Sequence, residues 1–410
     1  MKKLLSVLLA LLMVFALVGC SSSSSTEDEG EETADDNTIV VGMVCIGDDN
    51  AAYDRNFYMA ADAATEKLKA EGINVEWKYT YNHPEGDDVA NDCVELAEAG
   101  AKVVFLNSYG QENAMLTVAG DYEDTLFVSL TNEQSSRDAL DNTVNAFPSI
   151  YEGRYLAGVV AGSKLQKMID AGELDADKAV IGYVGAYTFA EVISGYTSFY
   201  LGAKSVCPSV TMLVEFIGSW GDPEKEAATA QDLIDRGAVL ISQHSDSTTP
   251  ATTAQTNGKL HVGYNISMAD VAPEASLVSS RIDWTNYFTY VIETVANGGT
   301  VDQDYMGHGL KDGDVVLTDY NSALVDADIE EAVKVAEEGI INGTVKVFDT
   351  SKFTVDGKVL EHSLVDMDGD YVGDEGYDAV FDGEYHESYF KSAPAFSERI
   401  DGITLVNEEY

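Results

Sequence analysis

Six short segments of this 410-residue chain gather rings and hydrogen-bonding side chains. They are Gly47 to Phe57, Asn107-Ser108-Tyr109-Gly110, Ala186 to Glu191, Gly218-Ser219-Trp220-Gly221-Asp222, Gln243-His244-Ser245-Asp246 and Tyr264-Asn265. Such a set suits binding. Stacking a base on a ring contributes about 1 to 3 kcal/mol, and polar groups along its edge fix its orientation. A flat, uncharged heteroaromatic ligand fits that chemistry. The patterns of bond-breaking sites are missing from the sequence: it has no Gly-x-Ser-x-Gly elbow, no His-Glu-x-x-His, no Gly-rich phosphate loop and no Cys-x-x-Cys. The six histidines are scattered, and His244 alone falls in one of these segments. Pairs such as Asp48 and Asp49 say little in a chain with 71 acids. The residues therefore point to no enzyme, no cofactor and no metal.

The elements that must position these segments alternate. Apolar strand runs are Ile39 to Cys45, Val75 to Tyr81, Lys102 to Leu106 and Leu126 to Leu130. Helical runs lie between them, roughly Asp54 to Ala70, Asp87 to Ala99 and around Met115. The alternation restarts with a helix from Ser149 to Lys167 and strands Ala179 to Val184, Thr211 to Ile217 and Val239 to Ile241. Repeated β-α units imply parallel sheets covered on both faces. Ligands of such sheets sit at the carboxyl ends of the strands, where the six segments fall. Two sheets suggest two lobes, with hinge strands expected near Phe147, near Val262 and at about residues 310 to 325.

The amino end predicts where the protein works. Lys2 and Lys3 precede an apolar run, Leu4 to Val18, and small residues lead to Cys20. That is a secretory signal, too short to span a bilayer, which needs about 20 residues. Cys20 after Leu17-Val18-Gly19 resembles a bacterial lipoprotein signal, so lipidation of Cys20 is expected. Ser21 to Asn37 is polar and acidic, with almost nothing to bury, and reads as a disordered tether. The formal net charge of -47 disfavours nucleic acid and anionic surfaces. Three cysteines, Cys45, Cys93 and Cys207, remain besides Cys20, an odd number that cannot pair completely. They read as buried thiols.

Five motifs in register carry a family resemblance. They are Tyr151-Glu152-Gly153-Arg154-Tyr155-Leu156-Ala157-Gly158, Glu191-Val192-Ile193-Ser194-Gly195, Leu201-Gly202-Ala203-Lys204, Gly218-Ser219-Trp220-Gly221-Asp222-Pro223 and Gln243-His244-Ser245-Asp246-Ser247. In order and spacing the chain resembles the basic membrane protein family over roughly residues 38 to 360. The resemblance implies an α/β, type I periplasmic-binding-protein fold, two doubly wound parallel-sheet lobes joined by hinge strands. It implies a lipoprotein that binds a purine nucleoside or free base and delivers it to the permease subunits of an ABC importer. Carried over by position, the ligand-binding residues are Asp54, Phe57 as the stacking ring, Tyr58, Ser108, Tyr109, Phe189, Trp220, Asp246, Asn265 and Trp284. The family often has Asn where Tyr58 stands, Asp where Asn265 stands, and Trp-Asn-Trp in place of Ile282-Asp283-Trp284. Ribose recognition therefore stays open, as does another flat heterocycle. A solute-sensing receptor uncoupled from transport is the alternative.

The expected division is a signal peptide over 1–19, a tether over 20–37, a first lobe over 38–147 with 263–310, and a second lobe over 148–262 with 311–360. Residues 361–410 form an acidic, aromatic extension expected to pack on a lobe. Within it, Leu364 to Glu375 partly resembles an EF-hand loop, but counted from its first acid, Asp366, Gly369 is fourth rather than sixth and no Glu falls at the twelfth place. A structural segment is expected there.

Overall fold

A computed structural model describes residues 38–48, 51–83, 85–132 and 140–408. The signal, Cys20 and the tether lie outside the described residues. The first sheet is built from β1 (Thr38–Val44), β2 (Asn74–Thr80), β3 (Val103–Leu106), β4 (Leu126–Leu130) and β5 (Thr143–Ala146). The second takes β6 (Val180–Gly185), β7 (Thr211–Phe216), β8 (Leu240–Gln243), β9 (Leu260–Tyr264) and β10 (Ser276–Ile282). Later strands return to each: β11 (Asp304–Tyr305) beside β5, β12 (Val315–Leu317) beside β10. A hairpin follows, β13 (Val380–Phe381) with β14 (Glu384–Tyr385), and β15 (Ile403–Leu405) ends the series. The strand orders are β11-β5-β4-β3-β1-β2 and β12-β10-β9-β8-β6-β7-β15. Every neighbouring pair in the two sheets is parallel except β10 with β12. Val103-Val104-Phe105-Leu106 is buried throughout, as a strand covered on both faces must be.

The chain passes between the sheets at 147–149, at 283–284 and at 306–314. The second passage corrects the expectation of a hinge near Val262. β9 and β10 both belong to the second sheet, so 263–282 sits in the second lobe. An apolar run shows that a strand is buried but not which sheet it joins.

Two helices form the spine of the second lobe, α4 (Ile150–Asp170) and α5 (Ala190–Val206), after α1 (Ala52–Ala70), α2 (Val89–Glu98) and α3 (Glu112–Ala119) of the first. Glycines in the family-like motifs explain their closeness. A Cβ on Gly158 would run into the Phe199 carbonyl, one on Gly162 into the Ala203 carbonyl, and one on Gly202 into the Tyr155 carbonyl. The backbones therefore touch without side chains between them. Further helices are α6 (Pro223–Asp235), α7 (Thr249–Thr256), α8 (Thr285–Ala296) and α9 (Ala327–Ile341). Cys45, Cys93 and Cys207 are buried.

The extension runs across both lobes. β15 adds an edge strand beside β7, pairing Ile403 with Met212. Phe348 and Phe396 stack with ring centres 4.5 Å apart. Ser392 reaches the first sheet: its N–H donates to Asp304 Oδ2 at 2.8 Å, and Asn145 Nδ2 donates to its Oγ at 3.0 Å. Glu387 is buried and accepts from the N–H groups of Ala395 and Phe396 at 3.1 and 3.0 Å.

Candidate functional site

The carboxyl ends of both sheets face one narrow cleft. Its wall takes Ile46, Tyr53, Ser108, Tyr109 and Thr131 from the first lobe and Glu191, Trp220, His244, Asp246 and Tyr264 from the second. Four of the expected residues are brought together there: Ser108, Tyr109, Trp220 and Asp246. Phe189 stands just behind, stacked on Tyr109 with ring centres 5.0 Å apart and planes 23° from parallel. Tyr187 also stacks on Phe189 at 5.2 Å and meets Trp220 edge-on at 5.1 Å. This ring cluster spans the mouth between the lobes.

One polar bond crosses the mouth as well. Trp220 Nε1 donates to Glu85 Oε1 at 3.1 Å. The same oxygen accepts from Ser108 Oγ and the Gly110 N–H, both at 2.6 Å. Glu85 thus ties the second lobe's ring to the first lobe's loop.

The loops behind the wall are braced by buried groups. Asp54 accepts from Asn107 Nδ2 at 2.8 Å and from the Gly47 N–H at 3.2 Å. Burial raises its carboxyl to about 6 despite those bonds. Tyr53 OH donates to the Asn107 carbonyl at 2.5 Å. Glu226 is fully buried and accepts from Ser245 Oγ at 2.9 Å, Ser247 Oγ at 2.7 Å and the Asp222 N–H at 3.0 Å, which sets the loops carrying Asp246 and Trp220. Asp246 has its carboxyl raised well above the ordinary range, chiefly by burial and then by the charges of Glu226, Asp54 and Glu191. Arg154, buried, lies over the Tyr264 ring with Cζ 3.4 Å from its centre.

The structure differs from expectation for the stacking ring. Phe57 is fully buried and stacks on Trp284, ring centres 5.4 Å apart, in the first-lobe core. Neither lines the cleft. Tyr53, one helical turn earlier on α1, takes the place at the wall and meets Phe57 edge-on at 4.9 Å. Tyr58 packs edge-on against Tyr79 and Tyr81 beside β2, away from the wall. Asn265 is buried with a left-handed φ of 69° and also lies off the wall. Tyr53, Glu191 and His244 belong to segments that the sequence singles out. Glu85 and Arg154 lie in stretches that carry the family resemblance, and Thr131 carried no site signal of its own.

Outside the cleft, carboxylate oxygens of Asp366, Asp368 and Asp374 lie within 4.8 Å of one another. They take up the loop's own N–H groups: Asp366 accepts from Gly369 at 2.7 Å and Tyr371 at 2.8 Å, and Asp374 from Met367 at 2.7 Å.

Comparisons with known proteins agree with this geometry. Residues 39–351 match the model of the family described as ABC transporter substrate-binding protein PnrA-like. A purine-binding protein of Brucella abortus is 31% identical over 316 residues, 76% of this chain and 86% of its own. A Haloferax volcanii protein, provisionally assigned to glucose binding in an ABC transporter, is 27% identical over 87% of each chain. Among solved structures, a solute-binding protein of an ABC transporter from Aeropyrum pernix superposes with a TM-score of 0.59 at 17% identity, covering 76% of this chain and 93% of that one. That likeness speaks to the fold, the type I periplasmic-binding-protein arrangement of two parallel-sheet lobes. The chain belongs to the PnrA-like family of ABC transporter substrate-binding proteins, a family of solute binders rather than of enzymes.

Proposed function

We propose that this protein captures a purine, as the free base or its nucleoside, between its two lobes and hands it to the permease of an ABC importer. The observation that carries this reading is the cleft wall, with Tyr53, Tyr109, Trp220 and Tyr264 around a small space and no Lys or Arg among its lining residues. Rings bind a flat solute by stacking, and the lack of a cation disfavours phosphorylated ligands. The purine-binding relative from Brucella abortus supports the same reading.

In this mechanism no covalent step occurs. The ligand docks on one lobe, the lobes close about the passages at 147–149, 283–284 and 306–314, and contacts from both sides favour the closed form. The Trp220–Glu85 bond and the Tyr109–Phe189 stack form on closure. The leader and Cys20 place the protein, by this proposal, outside the cytoplasmic membrane on a lipid anchor. No described helix is long and apolar enough to cross a membrane.

The test is to denature the purified protein and identify any released small molecule by mass spectrometry. A thermal-shift panel of bases, nucleosides, sugars and amino acids complements it. A true ligand at a hundredfold excess over Kd stabilises by about 2.7 kcal/mol. Stabilisation by glucose and not by any purine would overturn the purine reading in favour of a sugar binder, which the Haloferax relative favours.

A further inference from the structure

The geometry points to Glu191 as the residue that selects ligands carrying an exocyclic amino group on their flat ring. This rests on the purine reading above and narrows it. Three buried groups at and behind the wall, His244, Arg154 and Tyr183, fix what Glu191 can do. Arg154 NH2 lies 3.3 Å from His244 Nδ1, and a guanidinium can only donate. Tyr183 OH lies 3.3 Å from the same nitrogen. Nδ1 is therefore the accepting nitrogen, and the ring proton sits on Nε2. Nε2 faces Glu191 Oε1 at 3.2 Å, so it donates and Glu191 accepts. Burial lowers the imidazole's pKa, which keeps the ring in this neutral form. Arg154 is itself held by the Gln243 carbonyl at 3.0 Å and by the Tyr264 ring. The relay cannot reverse without inverting a guanidinium.

Glu191 Oε2 has no hydrogen-bond partner among the described residues, and Glu191 lines the cleft. Four of the wall's donors are already engaged elsewhere. Tyr53 OH serves the Asn107 carbonyl, Ser108 Oγ and Trp220 Nε1 serve Glu85, and His244 Nε2 serves Glu191 itself. The unspent oxygen of Glu191 is therefore placed to accept from a ligand donor. An amino group supplies it; a carbonyl oxygen at the same place would face a carboxylate, lone pair against lone pair.

The experiment is calorimetric titration of the purified protein with adenine, guanine and hypoxanthine, the last lacking an exocyclic amino group. Wild type should bind adenine or guanine at least about tenfold more tightly than hypoxanthine, the size expected for a hydrogen bond to a charged acceptor. Glu191→Gln offers an amide that can donate, so its preference should shrink to within about threefold. Glu191→Asp, which keeps the carboxylate, should retain the direction of the wild-type preference. Equal wild-type affinity for hypoxanthine and the amino purines overturns this inference and leaves the purine reading standing. An unchanged ratio in a folded Glu191→Gln variant overturns it too. No binding of any purine by wild type overturns both.

Discussion

At the residue scale, two rings of similar appearance in the sequence have different work. Trp220 faces the cleft, so Trp220→Ala should lose about 1 to 3 kcal/mol of purine affinity with its unfolding midpoint little changed. Phe57 is enclosed by Trp284 and Tyr53. Phe57→Ala should instead cost about 3 to 5 kcal/mol of stability, read by chemical denaturation. A variant as stable as wild type but unable to bind would return Phe57 to the site. The sequence shows Tyr53, Asp54 and Phe57 in one stretch. It does not show which of them turns inward, because Phe57 is covered by a Trp some 230 residues away on another element. Glu191 was equally visible as an acid in a loop, yet its meaning came from His244 and Arg154, which only the fold brings together.

At the element scale, α4 and α5 cross with backbone against backbone. Gly158→Ala places a methyl against the Phe199 carbonyl, and backbone cannot give way as a side chain can. Overpacking of this kind costs about 1 to 3 kcal/mol. A thermal midpoint equal to that of wild type would show that the helices separate freely. The alternation of buried strands and covering helices was legible because strands covered on both faces are continuous apolar runs, as β3 is. The allocation of β9 and β10 to the second sheet was not, since pairing partners leave no mark in either run. β12 runs antiparallel beside β10, which apolar periodicity also cannot announce.

At the scale of the whole molecule, the extension contacts both lobes, and Glu387 is a buried acid within it. Burial lifts that carboxyl from 4.5 to about 7, even though Ala395 and Phe396 donate to it. The folded chain thus holds the proton more tightly than the unfolded chain does. This contribution to stability is complete below about 4.5 and is lost as pH rises through about 7. Glu387→Gln should therefore gain stability relative to wild type as pH is raised from about 5 to about 8, measured by melting each protein across that range. A pH-independent offset between the two would remove Glu387 from the account. Rings and acids of the extension were plain in the sequence, but not that β15 would complete the second sheet or that Ser392 would reach Asp304. The distribution of indoles has a practical outcome. Of the chain's three tryptophans, half-buried Trp77 packs on Phe105 and buried Trp284 on Phe57, both in the first lobe. Trp220 alone looks onto the empty space. The unlabelled protein therefore carries its own optical gauge: a change in its emission on titration reports occupancy at a single known position.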